Sequence, residues 1–187
     1  MLRFVGFSGS LRKGSFNTAL LRAASELLSD DVHIDIVDIG GLPLYNADLE
    51  IPSAPEQVVE FRQAIRGADA FLIVSPEYNY SIPGGLKNAI DWGSRGPDRP
   101  FAGKPVAVMG ATTGMWGTVR MQLAFRPVFL YLDMIPLNKP EVLVADAPNK
   151  FDPEGKLLHE QTKEIVRQQL VALKKLALET KMLNHSK

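Results

Sequence analysis

The chain has 187 residues, 45% of them hydrophobic and 22% charged, and its acids and bases balance to a formal net charge of +0. That is enough chain for one domain with a full core, spanning 1–187, and its charge balance suits neither a nucleic acid nor an anionic lipid surface. Cysteine is absent, which excludes disulfides, thiolate catalysis and cysteine-ligated metal clusters.

The N-terminus reads straight into a strand, Leu2–Phe7, with no basic segment and long apolar run ahead of it, so no signal peptide is expected. No stretch reaches the roughly 18 apolar residues of a membrane span, and the expected location is cytoplasmic. The loop Gly9-Ser10-Leu11-Arg12-Lys13-Gly14-Ser15-Phe16-Asn17 follows. It combines short polar side chains at Ser10, Ser15 and Asn17, a cation at Arg12, and two glycines that let backbone fold around an anion. Asn17 is expected to cap the helix Phe16–Leu28, whose N-terminus presents unpaired N–H groups and partial positive charge. The loop suits a phosphate. A serine-rich, capped turn with two exposed basic residues is the plainer alternative.

Rival motifs fail in this region. The spacing Gly9-x-x-x-x-Gly14-Ser15 lacks the Lys of a P-loop that reaches the outer phosphates. Gly6-Phe7-Ser8-Gly9-Ser10 misses the last glycine of a nucleophile elbow, and His33, His159 and His185 are poorly spaced for a triad. The dinucleotide fingerprint is absent, although Asp38 ends the second strand, His33–Val37.

The loop Gly40–Ser53 precedes a helix over Pro55–Arg66 and the strand Ala70–Val74, an unbroken apolar run read as buried. Residues 76–92, Pro-Glu-Tyr-Asn-Tyr-Ser-Ile-Pro-Gly-Gly-Leu-Lys-Asn-Ala-Ile-Asp-Trp, come next. A loop with two tyrosines, an asparagine, two prolines and a glycine pair offers little core burial and is costly to order. Its aromatic groups, free amides and stiff exit at Ile82-Pro83-Gly84-Gly85 suit a planar heterocycle with polar edges; Tyr78 and Tyr80 covering the sheet end is the alternative. In the helix Gly85–Ser94, Lys87 is expected in solvent and Trp92 buried.

Beyond Gly96–Lys104 and the strand Val106–Met109, the loop Gly110–Gly117 has small residues that allow close approach, with Thr112, Thr113 and Gly114 able to meet a ribityl chain or ring oxygen. Trp116 either stacks beside a cofactor or joins a subunit contact. The helix Gly117–Tyr131 has apolar residues beyond one stripe, which favours a homo-oligomer in which Arg120 and Arg126 pair across the contact. The strand Glu141–Val144 and helix Glu160–Leu178 complete the chain.

Alternating strands and helices predict an α/β doubly wound parallel sheet of five strands in the order 2-1-3-4-5. That order brings the loops after strands one, three and four to one edge, where such sheets bind ligands. A loop for a phosphate and a loop for a ring point to a mononucleotide, with flavin the best candidate.

The phosphate loop at 9–17 and the segment 76–92 together resemble the NADPH-dependent FMN reductase family, nearest its bacterial chromate and quinone reductases; Gly103-Lys104-Pro105-Val106 and Asn138-Lys139-Pro140-Glu141 also fit. The resemblance implies a flavodoxin-like fold, tightly bound FMN, and dimers or tetramers that pair flavin sites. It implies phosphate contacts from Ser10, Arg12, Ser15 and Asn17, with Phe16 in the same cofactor-binding group, and ring contacts from Pro76, Glu77, Tyr78, Asn79, Tyr80 and Ser81. The third loop departs from the family's Ser-Ser-Met-Gly-like sequence with Ala111-Thr112-Thr113-Gly114. The expected reaction passes hydride from NAD(P)H through FMN to small-molecule acceptors, namely quinones, flavins, azo compounds or metal oxyanions such as chromate, in a ping-pong sequence. Orienting two rings demands no acid–base residue, so no catalytic side chain and no metal ligand is assigned. A flavodoxin-like one-electron carrier without NAD(P)H activity is the alternative.

Overall fold

The computed structural model describes residues 1–185; Ser186 and Lys187 lie outside the described residues. Strands β1 (Leu2–Ser8), β2 (Val32–Val37), β3 (Ala70–Val74) and β4 (Pro105–Ala111) pair in parallel in the order β2-β1-β3-β4. β3 is buried at every residue, as expected of an inner parallel strand covered on both faces.

The fifth position is the correction. Sequence predicts one strand there, Glu141–Val144, but two short pieces pair with β4. β5 (Ile135–Pro136) lies against Pro105 and Val106, and β6 (Val142–Val144) against Met109, Gly110 and Ala111. Pro136 at the end of β5 and Pro140 between the two pieces limit the ladder, because proline cannot donate to it. The buried Gln169 side chain fills the gap, its amide donating to the carbonyls of Val108 at 3.2 Å and Pro140 at 2.8 Å. The predicted order 2-1-3-4-5 holds, with its last strand split.

Helices α1 (Phe16–Glu26) and α5 (Glu160–His185) cover one face of the sheet, and α2 (Glu56–Arg66), α3 (Gly84–Gly93) and α4 (Val119–Leu132) the other. Each face has its own core. Phe4, Leu20, Leu72, Met109, Val166 and Leu173 pack in one; Phe7, Phe61, Phe71, Leu86, Phe101 and Phe125 pack in the other. α5 is tied to the end of α1's turn by Lys174, which donates to Asp31 at 2.7 Å. That bond, with a second from the Ser29 hydroxyl, lowers the Asp31 carboxyl to about 2.

Ser15 caps α1 in place of the expected Asn17. Its backbone is extended and its hydroxyl oxygen accepts from the N–H groups of Asn17 and Thr18. Trp92 is fully buried as expected, and its indole is held by the loop before α2. Its indole N–H donates to the Pro43 carbonyl at 2.7 Å, and the Tyr45 ring meets it edge-on at 4.9 Å. Asn88 accepts from the Tyr45 N–H and donates to the same Pro43 carbonyl. The loop 40–53 therefore buttresses α3, and through α3 the loop that begins it. Lys87 is bonded to Asp91 along α3 at 2.6 Å. Among the described residues no helix is long and apolar enough to cross a membrane.

Candidate functional site

The three loops predicted to converge do so beyond the carboxyl ends of β1, β3 and β4, and two side chains lock them together. The first is Asn17. Its amide donates to the Ala111 carbonyl at 2.9 Å and its oxygen accepts from the Ala111 N–H at 2.8 Å. In a strand the N–H and C=O of one residue point the same way, and β4 runs beyond the end of β3, which stops opposite Met109. The Asn17 amide thus acts as a strand peptide for the part of β4 that β3 does not reach. Its oxygen and one amide proton are committed to Ala111 and the residue is buried, which leaves one amide proton uncommitted among the described residues for the phosphate contact expected of it.

The second lock is Glu77. Its carboxylate accepts from the N–H groups of Arg120 at 2.9 Å and Met121 at 3.1 Å, and lies 3.5 Å from the Arg120 guanidinium. Thr118 precedes α4 in a left-handed conformation, φ 70°, and makes no side-chain cap. Glu77 therefore caps α4 from the neighbouring loop, its charge facing the positive end of that helix. The expected ring contact from Glu77 is left to its backbone. Arg120 pairs within the chain, and Arg126 donates to Asn138 at 2.6 Å while its exposed guanidinium keeps further donors.

The phosphate loop is poorly satisfied by the protein itself. The N–H groups of residues 11–16 donate to nothing among the described residues. The Ser10 hydroxyl has no partner there either, although Ser10 is buried, and Ser15 uses only its oxygen. Residues 11–14 are exposed, so their donors stand open to a ligand. A run of free donors at a helix N-terminus, with the exposed Arg12 beside it, is the chemistry that a phosphate dianion satisfies. Arg12 lies over the Phe16 ring at 5.8 Å, and Phe16 in turn packs on Phe151 at 5.5 Å. A cavity of about 420 Å³ opens against this turn, bordered by Lys13, Phe16, Arg22 and Phe151.

The ring loop is a tight hairpin. Tyr78 and Ser81 exchange both backbone bonds, at 3.1 and 2.9 Å, and the central residues Asn79 and Tyr80 both have positive φ, 50° and 63°. This is a type I′ turn, in which asparagine is at ease and tyrosine is unusual. The N–H groups of Glu77, Asn79 and Tyr80 have no partner among the described residues, and Tyr78, Asn79, Tyr80 and Ser81 are exposed while Pro76 is half-buried. Free amide donors on a rigid exposed turn fit the polar edge of a heterocycle.

The third loop is anchored at its base. Thr112 donates to Val144 at 2.9 Å and accepts from Ala147 at 3.0 Å, and its hydroxyl accepts from the Gly114 N–H at 3.3 Å. Thr113 and Gly114 are exposed, and among the described residues the Thr113 hydroxyl has no partner. Two glycines make the convergence close. A Cβ on Gly9 would overlap the Ser75 hydroxyl, and one on Gly110 would overlap both the Thr118 hydroxyl and the Ser75 carbonyl oxygen. Sequence reasoning missed the locks at Asn17 and Glu77. Their only sequence signal was a polar residue of each type inside a segment already marked for ligand binding.

The donor set thus fits a flavin mononucleotide: unpaired N–H groups and serine hydroxyls for one phosphate, and a separate rigid turn for a ring. Comparisons with known proteins agree. The profile of the NADPH-dependent FMN reductase family matches residues 2–149. The chain is 49% identical over 172 residues to an NAD(P)H-dependent FMN reductase of Pseudomonas aeruginosa, covering 92% of this chain and 93% of that one. It is 41% identical over 174 residues to a quinone reductase of Escherichia coli K12, covering 91% and 93%. Among solved structures it is similar to FerB, a flavoenzyme NAD(P)H:(acceptor) oxidoreductase from Paracoccus denitrificans, with a TM-score of 0.88 and 30% identity over 96% of this chain and 99% of that one.

Proposed function

This chain belongs to the NADPH-dependent FMN reductase family, and on that premise we propose that it reduces small acceptors, quinones foremost, with electrons drawn from NAD(P)H through bound FMN. It is an enzyme of flavodoxin-like fold, with FMN as cofactor and NAD(P)H as donor. The observation that carries the finer reading is the pairing of an unsatisfied phosphate cradle with a rigid amide-bearing turn, locked at one sheet edge by Asn17 and Glu77. Quinones lead because relatives named as quinone reductases match nearly the whole chain; free flavins, azo compounds and oxyanions such as chromate are the other acceptors of the proposal. The whole chain, 1–187, serves as one FMN-binding domain in the cytoplasm, where NAD(P)H is at hand.

In this reading FMN supplies the hydride-carrying ring, and the chain's own residues hold and orient it. The N–H groups of 11–16 and the hydroxyls of Ser10 and Ser15 hold the phosphate at the N-terminus of α1, with Arg12 supplying charge. The free amides of residues 77, 79 and 80 would hold the ring edge, and Thr112, Thr113 and Gly114 would meet the ribityl chain or a ring oxygen. Donor and acceptor then take turns at one open face, since no side chain is needed to move a proton in the hydride step. The test is steady-state oxidation of NADPH with a quinone. Parallel double-reciprocal lines are expected; intersecting lines would mean that both substrates bind side by side. Absence of NADPH consumption would leave the one-electron carrier.

Arg12→Ala should weaken FMN binding roughly ten- to a hundredfold, the worth of one charge-assisted bond to a phosphate, with the melting temperature of the apoprotein unchanged because Arg12 is exposed. Fluorescence titration of apoprotein with FMN reads it; unchanged affinity would place the phosphate elsewhere.

The proposal includes a homo-oligomer, dimer or tetramer. On α4, Met121, Phe125 and Phe129 are buried, but Leu123 and Leu130, two turns apart on one face, are 61% and 84% exposed, with Tyr131 beside them. Large apolar side chains aligned in this way are costly to leave in water. Light scattering behind a sizing column should give at least twice the chain mass. A single species at the mass of one chain would remove this element.

A further inference from the structure

The Arg120 guanidinium, besides pairing with Glu77, lies between two aromatic rings. Its central carbon is 4.0 Å from the Tyr80 ring centroid and 5.0 Å from that of Trp116. Both distances are within cation–π range. Tyr80 belongs to the ring loop and Trp116 to the third loop, so Arg120 joins the two loops that would flank the flavin ring. The rings are nevertheless 69% and 58% exposed, and Met115 beside them is 77% exposed. Tyr80 holds this position in a left-handed backbone conformation that side chains disfavour, and Trp116 is fixed by a turn in which its carbonyl accepts from the Val119 N–H at 3.1 Å. Two large rings are thus left in solvent at the mouth of the site, where exposure brings no stability.

We propose that Tyr80, Arg120 and Trp116 form an acceptor platform that seats electron-poor, fused-ring quinones, and that Trp116 sets the preference for them. This rests on the quinone reductase reading above. Indole and phenol rings are electron-rich, and an oxidised quinone is electron-poor, so offset stacking between them is favourable. Two electrons from NAD(P)H and two protons convert the quinone to a hydroquinone, which is electron-rich. Its stacking on the same rings is weaker, and the platform therefore favours entry of the oxidised acceptor and departure of the reduced product. A fused two-ring quinone covers more of Trp116 than a single ring does, and a compact inorganic acceptor gains nothing from it.

The experiment compares the wild type with Trp116→Leu, Trp116→Phe and Tyr80→Leu holoenzymes, each checked for FMN content, using 2-methyl-1,4-naphthoquinone, 1,4-benzoquinone and ferricyanide. Trp116→Leu should raise the half-saturation constant for the naphthoquinone roughly three- to tenfold, the worth of one aromatic stack, benzoquinone less, and ferricyanide not at all. Trp116→Phe should recover most of the loss, and Tyr80→Leu should act in the same direction. A second readout is optical. Trp92 is fully buried, so the emission lost in Trp116→Phe belongs to Trp116, and that component should be quenched saturably by the naphthoquinone at its kinetic half-saturation. Equal effects on all three acceptors, or an unchanged naphthoquinone constant with full FMN content, would overturn the platform. A variant that loses FMN, so that the rings serve the cofactor's binding, would overturn it too. A wild type that oxidises NADPH with neither quinone would instead overturn the reading on which the platform rests.

Discussion

Gly110→Ala is expected to destabilise the protein by about 3 kcal/mol or more and to abolish flavin retention. The added Cβ would overlap the Thr118 hydroxyl and the Ser75 carbonyl oxygen. A side chain can rotate away, but the Ser75 carbonyl belongs to backbone whose own N–H is bonded to Met109 at 3.0 Å. Relief therefore requires β3 and β4 to part at the edge where the ring loop and third loop begin. The melting temperature should fall by roughly 10 °C, at about 2–4 °C per kcal/mol for a chain of this size. Pairing Gly110→Ala with Thr118→Ala should recover only part of the loss, because the carbonyl overlap stays. Full recovery in the double variant, read by differential scanning calorimetry, would show that the backbone contact is soft.

Asn17→Ala is expected to cost about 2–4 kcal/mol of stability, because it leaves both the N–H and the C=O of Ala111 buried without a partner and each such group costs about 1–3 kcal/mol. FMN affinity should fall with it, as the tether between the phosphate loop and the third loop is cut. The effect differs in kind from that of Arg12→Ala. Calorimetry of the two apoproteins separates them: Asn17→Ala should melt several degrees lower, and Arg12→Ala should not. An Asn17→Ala apoprotein that melts like the wild type would mean that the amide serves the phosphate after all.

These two residues mark the limit of what was legible in the chain. Apolar runs such as Ala70–Val74 located the strands because a strand covered on both faces has little choice of residue. Strand order and the meeting of the loops followed from the handedness of crossovers. Donors around residues 10–16 and the turn at 78–81 were visible from short polar residues, glycine and proline. What could not be read was which polar group satisfies another protein group and which is left for a ligand. Asn17 and Ser15 are both small capping residues two positions apart, and only the overhang of β4 beyond β3 assigns the amide to Ala111. Thr118 is a good capping residue by type, yet its left-handed backbone denies it the role and Glu77 takes it from another loop. The split of the last strand likewise depended on which prolines face β4.

That split has a consequence for the fate of the protein at high concentration. The outer margins of an open sheet carry unpaired backbone groups onto which a foreign strand can add. Here the β4 side ends in pieces of two and three residues, one containing Pro136 and the two separated by Pro140. The β2 side presents His33 and Asp35, bonded to each other at 3.0 Å and with Asp35 also held by Arg3. One margin is too short to template a new strand, and the other carries charge that an incoming strand would have to strip of water. Lateral growth into fibrils is thereby discouraged at both ends of the sheet, and association of the native protein is left to its helices.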